Sequence, residues 1–422
     1  MPMQRVLDSL LRRLITEGRL MVRWPDGHAT TYEGSAKGSA SGSAGVAIKD
    51  AATVRRLVLN PSLALGEAYM AGALVPLDCS LYDLLDLLVA NAAAAGGGTR
   101  IMRVRAQLGR VIRRLAQHNP ASRARRNAAH HYDLNGRLYS LFLDRDRQYS
   151  CAYFPRGDET IDEAQIAKKR HIAAKLLLDR PDLSVLDIGC GWGGLALTLA
   201  RDHGARVLGI TLSSEQLAEA RARASAAGLA DRVRFELLDY RALDQRFDRI
   251  VSVGMFEHVG IGHYGAFFAA LKRCLTPDGV ALLHAIGRSD GPGATNRWIA
   301  KYIFPGGYSP ALSEVLPAVE RAGLWATDIE ILRLHYAETL ARWRRRFLAN
   351  RDTIASITDE RFCRMWEFYL VGSELAFRRE GHMVFQIQLA RSQSAVPLTR
   401  DYITAAERAP SADLSQDKPM MA

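Results

Sequence analysis

Val185-Leu-Asp-Ile-Gly-Cys-Gly-Trp-Gly-Gly-Leu195 is a short apolar run that passes directly into glycines, and the reading of the whole chain turns on it. A run of this kind is a buried strand opening into a helix. Gly189, Gly191 and Gly193 let the backbone bend tightly and approach a ligand with no Cβ in the way. Outward from it, further β-type runs alternate with helical patterns: Ser184 to Ile188, Arg206 to Ile210, Val233 to Leu238, Arg249 to Val253 and Val280 to Ile286, with helices over Ser213 to Ala227 and Tyr264 to Cys274. That rhythm predicts an α/β fold with a doubly wound parallel sheet. His382 to Leu389, after a long helical region, is expected as an antiparallel edge strand.

Two cofactor classes use a glycine turn of this kind. Gly189, Gly191 and Gly194 fit G-x-G-x-x-G, so a dinucleotide has to be weighed. It calls for an acid about 20 residues on, at the end of the second strand. That strand instead ends Val207-Leu-Gly-Ile-Thr-Leu-Ser. Asp187, two residues before the first glycine, gives the D-x-G-x-G-x-G pattern of class I methyltransferases, in which an acid serves the amino acid end of the cofactor. Thr211, Ser213 and Gln216 offer neutral groups where the ribose acid is missing. Asp239-Tyr240-Arg241 follows the third strand, where the adenine is gripped, although Asp239 read alone is also an ordinary strand-end turn residue.

At 422 residues the chain exceeds one ordinary domain. No apolar stretch approaches the roughly 20 residues of a membrane-spanning helix. Met1 to Arg23 mixes Leu7, Leu10, Leu11 and Leu14 with Arg5, Arg12, Arg13 and Arg19 at helical spacing, without a signal peptide's separate apolar block, so a cytoplasmic location is expected. Five dispersed cysteines with no C-x-x-C pair suggest neither a disulfide framework nor a metal site. The formal net charge of +11 leaves nucleic acid, an anionic membrane surface and acidic small substrates open as partners. The arginines between Arg100 and Arg126 alternate with apolar residues, which reads either as a basic amphipathic helix for an anionic bilayer or as a solvated face packed on its own protein. Gly34 to Gly45 and Ala92 to Gly98 read as small-residue linkers around a mostly helical module. The expected domains are an accessory domain over 1–95, a helical linker and lid over 96–178, the α/β domain over 179–391 and a disordered tail over 392–422.

Longer strings narrow this. His131-Tyr-Asp-Leu, Tyr149-Ser-Cys-Ala-Tyr-Phe, Gly209-Ile-Thr-Leu-Ser-Ser-Glu-Gln, Met255-Phe-Glu-His-Val-Gly and Leu283-His-Ala-Ile-Gly make the chain resemble the cyclopropane-fatty-acid synthase family from about Asp50 to Leu389. The resemblance implies a class I S-adenosylmethionine-dependent methyltransferase with a Rossmann-like sheet, plus a small N-terminal domain that engages lipid and helps to dimerise. It implies a cofactor pocket drawing on Tyr149, Ser150, the Gly189 to Gly193 loop, Thr211 and Gln216, with Tyr240 and Arg241 near the adenine. It further implies a bicarbonate ion at Cys151, Glu257, His284, Ile286 and Tyr336, all five of which match.

The implied reaction forms cyclopropanes on unsaturated acyl chains of membrane phospholipids, at the anionic inner face of the membrane, by a peripheral homodimer with no metal and no nucleic-acid partner. A methyl-branched or methylene product is the rival outcome. An alkene is a poor nucleophile, so the chemistry needs an aligned methyl donor, exclusion of water and a base that is itself a poor alkylation target. Tyr302, Phe304 and Phe256 are candidates to steady the transient cation. Apart from the resemblance, Glu257 is as readily a helix-capping acid, Cys151 a small buried apolar residue, and His284 a core histidine.

Overall fold

The computed structural model describes residues 2–35, 42–94 and 136–408. The N-terminal module carries four strands, β1 (Arg19–Arg23), β2 (Ala29–Glu33), β3 (Ser43–Ile48) and β4 (Leu74–Leu77), in the order β2-β1-β3-β4. The stretch between the two expected linkers is mostly helical, as expected, but the sheet was not foreseen. The helices Ala51–Leu59, Pro61–Met70 and Leu81–Ala94 are present, but they pack on a sheet. Helix Pro2–Leu14 stops well before Arg23, and Leu20, Val22 and Trp24 are then buried at alternate positions. Pro25-Asp26-Gly27 between the two runs was the available hairpin signal: Gly27 sits at φ +84° and Asp26 accepts the His28 N–H.

Part of the expected linker is also strand. Ser43, Ala44 and Gly45 belong to β3, and a Cβ on Gly45 would lie 2.7 Å from the Leu77 carbonyl oxygen, so small size there is a packing requirement. Residues 36–41, the arginine-rich stretch 100–126 and His131-Tyr-Asp-Leu lie outside the described residues.

The main sheet has seven strands: β5 (Ser184–Ile188), β6 (Arg206–Thr211), β7 (Val233–Leu237), β8 (Phe247–Val253), β9 (Leu275–Arg288), β10 (Trp325–Leu332) and β11 (His382–Ala390). Their order is β10-β11-β9-β8-β5-β6-β7, with β5 to β9 parallel. Val185, Leu186, Ile250 and Val251 are fully buried, as expected of parallel strands covered on both faces. From β5 the chain winds outward through β6 and β7, then returns to place β8 on the other side. The carboxyl ends of β5 and β8 therefore flank the switch point at which α/β sheets bind ligands.

The glycine turn is dictated by its neighbours. Gly189 has φ +83° and a Cβ there would lie 2.9 Å from that of Met255; Gly193 has φ +82° and a Cβ would meet the Phe235 ring at 2.6 Å. The expected antiparallel strand β11 is present but is not the edge: β10 pairs outside it. β10 escapes sequence reading because it is half exposed and interrupted by Thr327, Asp328 and Glu330.

The N-terminal module is clamped to the main domain. Arg379 forks onto Asp86 at 2.8 and 2.9 Å, Glu67 receives Lys301 at 2.7 Å and Tyr302 at 2.8 Å, and Tyr69 donates to Glu367 at 2.8 Å. Gly66 lets the helix Pro61–Met70 sit directly on the Trp298 ring.

The C-terminal expectation needs correction in part. Within 392–408, Asp401–Arg408 is a helix with Ile403 buried, while residues 409–422 lie outside the described set. The helix is anchored on His171, which is buried, stacked 4.2 Å from Tyr153, and bonded to Glu407 at 2.5 Å and Glu330 at 2.8 Å. Burial lowers the His171 pKa, but the two carboxylates outweigh it and the net direction is upward from 6.5. The clamp's ionic contribution is therefore complete below 6.5 and is lost as pH rises through the higher folded value. Glu407→Gln is expected to lower stability by about 1–2 kcal/mol at pH 6 and by less at pH 9. Thermal denaturation at the two pH values checks this, and a pH-independent drop would deny the clamp any ionic part.

Candidate active site

A cleft of about 170 Å³ opens at the carboxyl ends of β5, β6 and β8, walled by residues 147–150, 187–192, 211–213, 238–241 and 253–255 together with Gln216. It gathers Tyr149, Ser150, Asp187, Gly189, Gly191, Thr211, Gln216, Asp239, Tyr240 and Arg241. Gly193 is not in the wall; it begins the helix Gly194–His203 behind the turn.

Asp187 is buried, and its Oδ2 has no hydrogen-bond partner among the described residues. Burial lifts its carboxyl to about 7 against the pull of the Lys168 ammonium. Such a group favours a ligand that brings a positive charge to it. Thr211 donates its hydroxyl to Gln216 Oε1 at 2.9 Å, and Ser213 Oγ caps the next helix by accepting the Gln216 N–H, so the neutral trio after β6 is one rigid unit. Asp239 is both of the things its position suggested. It lines the cleft, and it shapes the turn by accepting the Arg241 N–H at 3.0 Å and its guanidinium at 2.8 and 2.5 Å.

A second cavity, of about 500 Å³, shares Tyr149, Ser150, Gly254 and His258 with the cleft. Cys151, Glu257, His284, Ile286 and Tyr336 all line it, although they come from the loop before the helix Ile161–Lys175, the turn after β8, β9, and the helix His335–Ala349. Glu257 Oε1 accepts the Ile286 N–H at 2.6 Å, while its Oε2 is buried without a partner among the described residues. Burial lifts this carboxyl to about 7, with the Ile286 bond opposing.

His284 is held well below the usual histidine range, first by burial and then by the charges of Lys168, His171 and Lys175, so the ring is neutral. The amide nitrogen of Gln386 faces its Nδ1 at 3.1 Å, which makes Nε2–H the donor. Burial likewise lowers His258 to about 4 and pushes the Cys151 thiol up, so both are uncharged near neutrality. Tyr336 packs edge-on against Trp343 and tilted against Phe377.

Much of the remaining wall is apolar, with Arg288, Asn296, Glu380 and His382 among its polar members, and it reaches the N-terminal module through Leu65, Leu85 and Val89. Of the three aromatic candidates, Phe304 lines the cavity. Phe256 is sealed in the core against Tyr264 and Phe267, and Tyr302 sits at the module interface on Glu67.

Three site residues escaped sequence reading. Tyr369 meets the Tyr149 hydroxyl at 2.9 Å between the two cavities. Gln386 orients His284 from β11. Lys168, fully buried, holds Gln148 and Ser150. None carries a local motif, and the Lys168-Lys169 pair reads by default as a solvated face.

Known proteins share this architecture. The profile of the mycolic acid cyclopropane synthetase family matches residues 119–387, and that of a domain of unknown function matches residues 6–95. The cyclopropane-fatty-acyl-phospholipid synthase of Escherichia coli (strain K12) is 38% identical over 352 residues, 83% of this chain and 89% of that one. A tuberculostearic acid methyltransferase of Mycobacterium tuberculosis is 36% identical over 399 residues, 92% of this chain and 91% of that one. A solved mycolic acid cyclopropane synthase complexed with SAH and CTAB superimposes with a TM-score of 0.60 at 34% identity, over 64% of this chain and 98% of that one. The doubly wound sheet, the cleft at its switch point and these matches agree, and the chain belongs to the mycolic acid cyclopropane synthetase family of S-adenosylmethionine-dependent methyltransferases.

Proposed function

We propose that the protein converts double bonds in the acyl chains of membrane phospholipids to cyclopropanes, with a bicarbonate ion as the base. The observation that carries this reading is the meeting of the two cavities at Tyr149, Ser150, Gly254 and His258, with the unmet oxygen of Glu257 in the wall of the apolar one. S-adenosylmethionine supplies an electrophilic methyl group whose transfer to an alkene leaves a carbocation. Asp187 is suited to the ammonium of its amino acid end, and the Thr211–Gln216 unit to the ribose.

The donor set of the second cavity fits a small protonated oxyanion. Glu257 Oε2 can accept a hydrogen bond, while His284 Nε2–H and the Tyr336 hydroxyl can donate. Bound there, bicarbonate supplies a basic oxygen that is a poor target for the sulfonium. The un-ionised Cys151 thiol, and the engagement of the His284 Nδ1 lone pair by Gln386, spare the site a competing nucleophile. The apolar part of the wall disfavours water that would capture the cation, and Phe304 offers it an aromatic face. Action at the anionic inner face of the membrane, as a peripheral homodimer, belongs to the same proposal. The formal net charge of +11 supports it, and among the described residues no helix is long and apolar enough to cross a membrane.

A second reading has specific support. The similarity to the tuberculostearic acid methyltransferase spans 92% of the chain, and a methyl-branched product shares every step up to the cation.

Expression in a host lacking such activity is expected to add one methylene unit to unsaturated acyl chains, read by mass spectrometry, and catalytic hydrogenation separates ring from branch. Unchanged acyl masses with soluble, cofactor-supplied protein would overturn the proposal. Glu257→Gln should lower kcat by about 100-fold or more while S-adenosylhomocysteine affinity stays within a few-fold. Because Glu257 is raised to about 7, its free oxygen carries a proton below that pH and turns from acceptor to donor. Wild-type kcat should therefore climb as pH rises through about 7, and the residual activity of Glu257→Gln should lack that limb. Parallel losses of turnover and cofactor binding would reduce Glu257 to a structural prop.

A further inference from the structure

Lys168 lies at the middle of the helix Ile161–Lys175 with no exposed surface, whereas its neighbour Lys169 pairs with Asp146 at 2.6 Å. Burying an ammonium costs several kcal/mol unless it is compensated, and a leucine would fill the same space without that cost. Yet no carboxylate among the described residues lies within salt-bridge distance of Lys168. Its Nζ donates instead to two neutral acceptors, Gln148 Oε1 at 2.6 Å and Ser150 Oγ at 2.9 Å. Those acceptors belong to the loop Gln148-Tyr149-Ser150-Cys151, which walls both the cofactor cleft and the reaction cavity.

We propose that Lys168 is a positioning residue for methyl transfer: a buried ammonium that pins the shared loop and supplies the positive field acting on Asp187 on one side and His284 on the other. This rests on the reading of the two cavities as cofactor and acyl sites. The charged and titratable groups around Lys168 are Asp144 and Asp146 in the preceding segment, Lys169 on its own helix, Cys151 in the loop, Asp187 after β5 and His284 on β9. The ammonium opposes the effect of burial on Asp187, keeping it available as a carboxylate, and adds to the effect of burial on His284, keeping it neutral. Burial lowers Lys168 itself to about 8.

The fold supplies an internal control. Gln165, three residues earlier on the same helix, anchors the same loop without charge, donating to the Ser150 carbonyl at 2.9 Å and the Gln148 carbonyl at 3.2 Å. A purely mechanical role for Lys168 would make the two residues equivalent.

The experiment compares Lys168→Met, Lys168→Arg and Gln165→Leu by kcat against pH, and by lipid-free S-adenosylhomocysteine binding against pH. Lys168→Met is expected to lower kcat by about 100-fold, and to move upward the pH at which ligand binding is half lost, because Asp187 then ionises less readily. The wild-type rate should decline above about 8, and Lys168→Arg should carry that decline to higher pH. Gln165→Leu should lower the rate with both limbs in place. Unchanged limbs in Lys168→Met, or the same limb shifts in Gln165→Leu, would overturn the proposal. If Lys168→Met does not fold, the alkaline limb of Lys168→Arg decides: moved upward it supports the role, unmoved it refutes it. Wild-type protein that makes no lipid product would strike the functional reading instead, and the lipid-free binding curves would still report on Lys168.

Discussion

A carboxyl group held out of water by a protein is costly to ionise, and that constraint runs along the seam from Asp187 to Glu257. Both acids are buried, both are lifted to about 7, and each keeps one oxygen without a partner among the described residues. The surrounding architecture sustains this. β8 and β9 bring Glu257 up to the Ile286 N–H, β11 sets Gln386 against His284, and the helix Ile161–Lys175 places an ammonium beneath the loop between the cavities. Two buried carboxyls with such oxygens, set on either side of one loop, form the pattern expected of a preorganised active site.

The parts of this legible in sequence are those in which local chemistry and global position coincide. The glycine turn is one: Gly189 and Gly193 are required by backbone conformation and by Met255 and Phe235, and the apolar run before them has no reading other than a buried strand. Asp187, Thr211 and Asp239, among the proposed cofactor residues, were found because they sit at or just past the ends of β5, β6 and β7. β10 and the hairpin of β1 and β2 were missed for the opposite reason, although Pro25-Asp26-Gly27 marked the turn of the hairpin. One face of each meets solvent, so neither shows a continuous apolar signal. The second cavity is assembled from segments scattered along the chain from Cys151 to Tyr336 and beyond, and no periodicity relates Cys151 to His284 or Tyr336. Only long strings shared with a family could point to them. Lys168 had not even that, since a lysine pair on a helix is solvated far more often than not.

The joint between the modules gives the N-terminal sheet a role in the site without a catalytic group of its own. Asp86, Glu67 and Tyr69 fix its helices onto Arg379, Lys301, Tyr302 and Glu367, and Gly66 brings the backbone against Trp298. Paired groups at such a seam hold register more than they add net stability. What they fix in place is the wall made by Leu65, Leu85 and Val89.

That wall comes from outside the main sheet. The solved mycolic acid cyclopropane synthase aligns over 98% of its own length with 64% of this chain. In the present protein the catalytic sheet and the N-terminal sheet are halves of a single mould, and neither can drift alone. A substitution at Val89 would reshape the second cavity as directly as one at Phe304. Any change in the shape of that space must then involve both modules together, two sheets that share no strand.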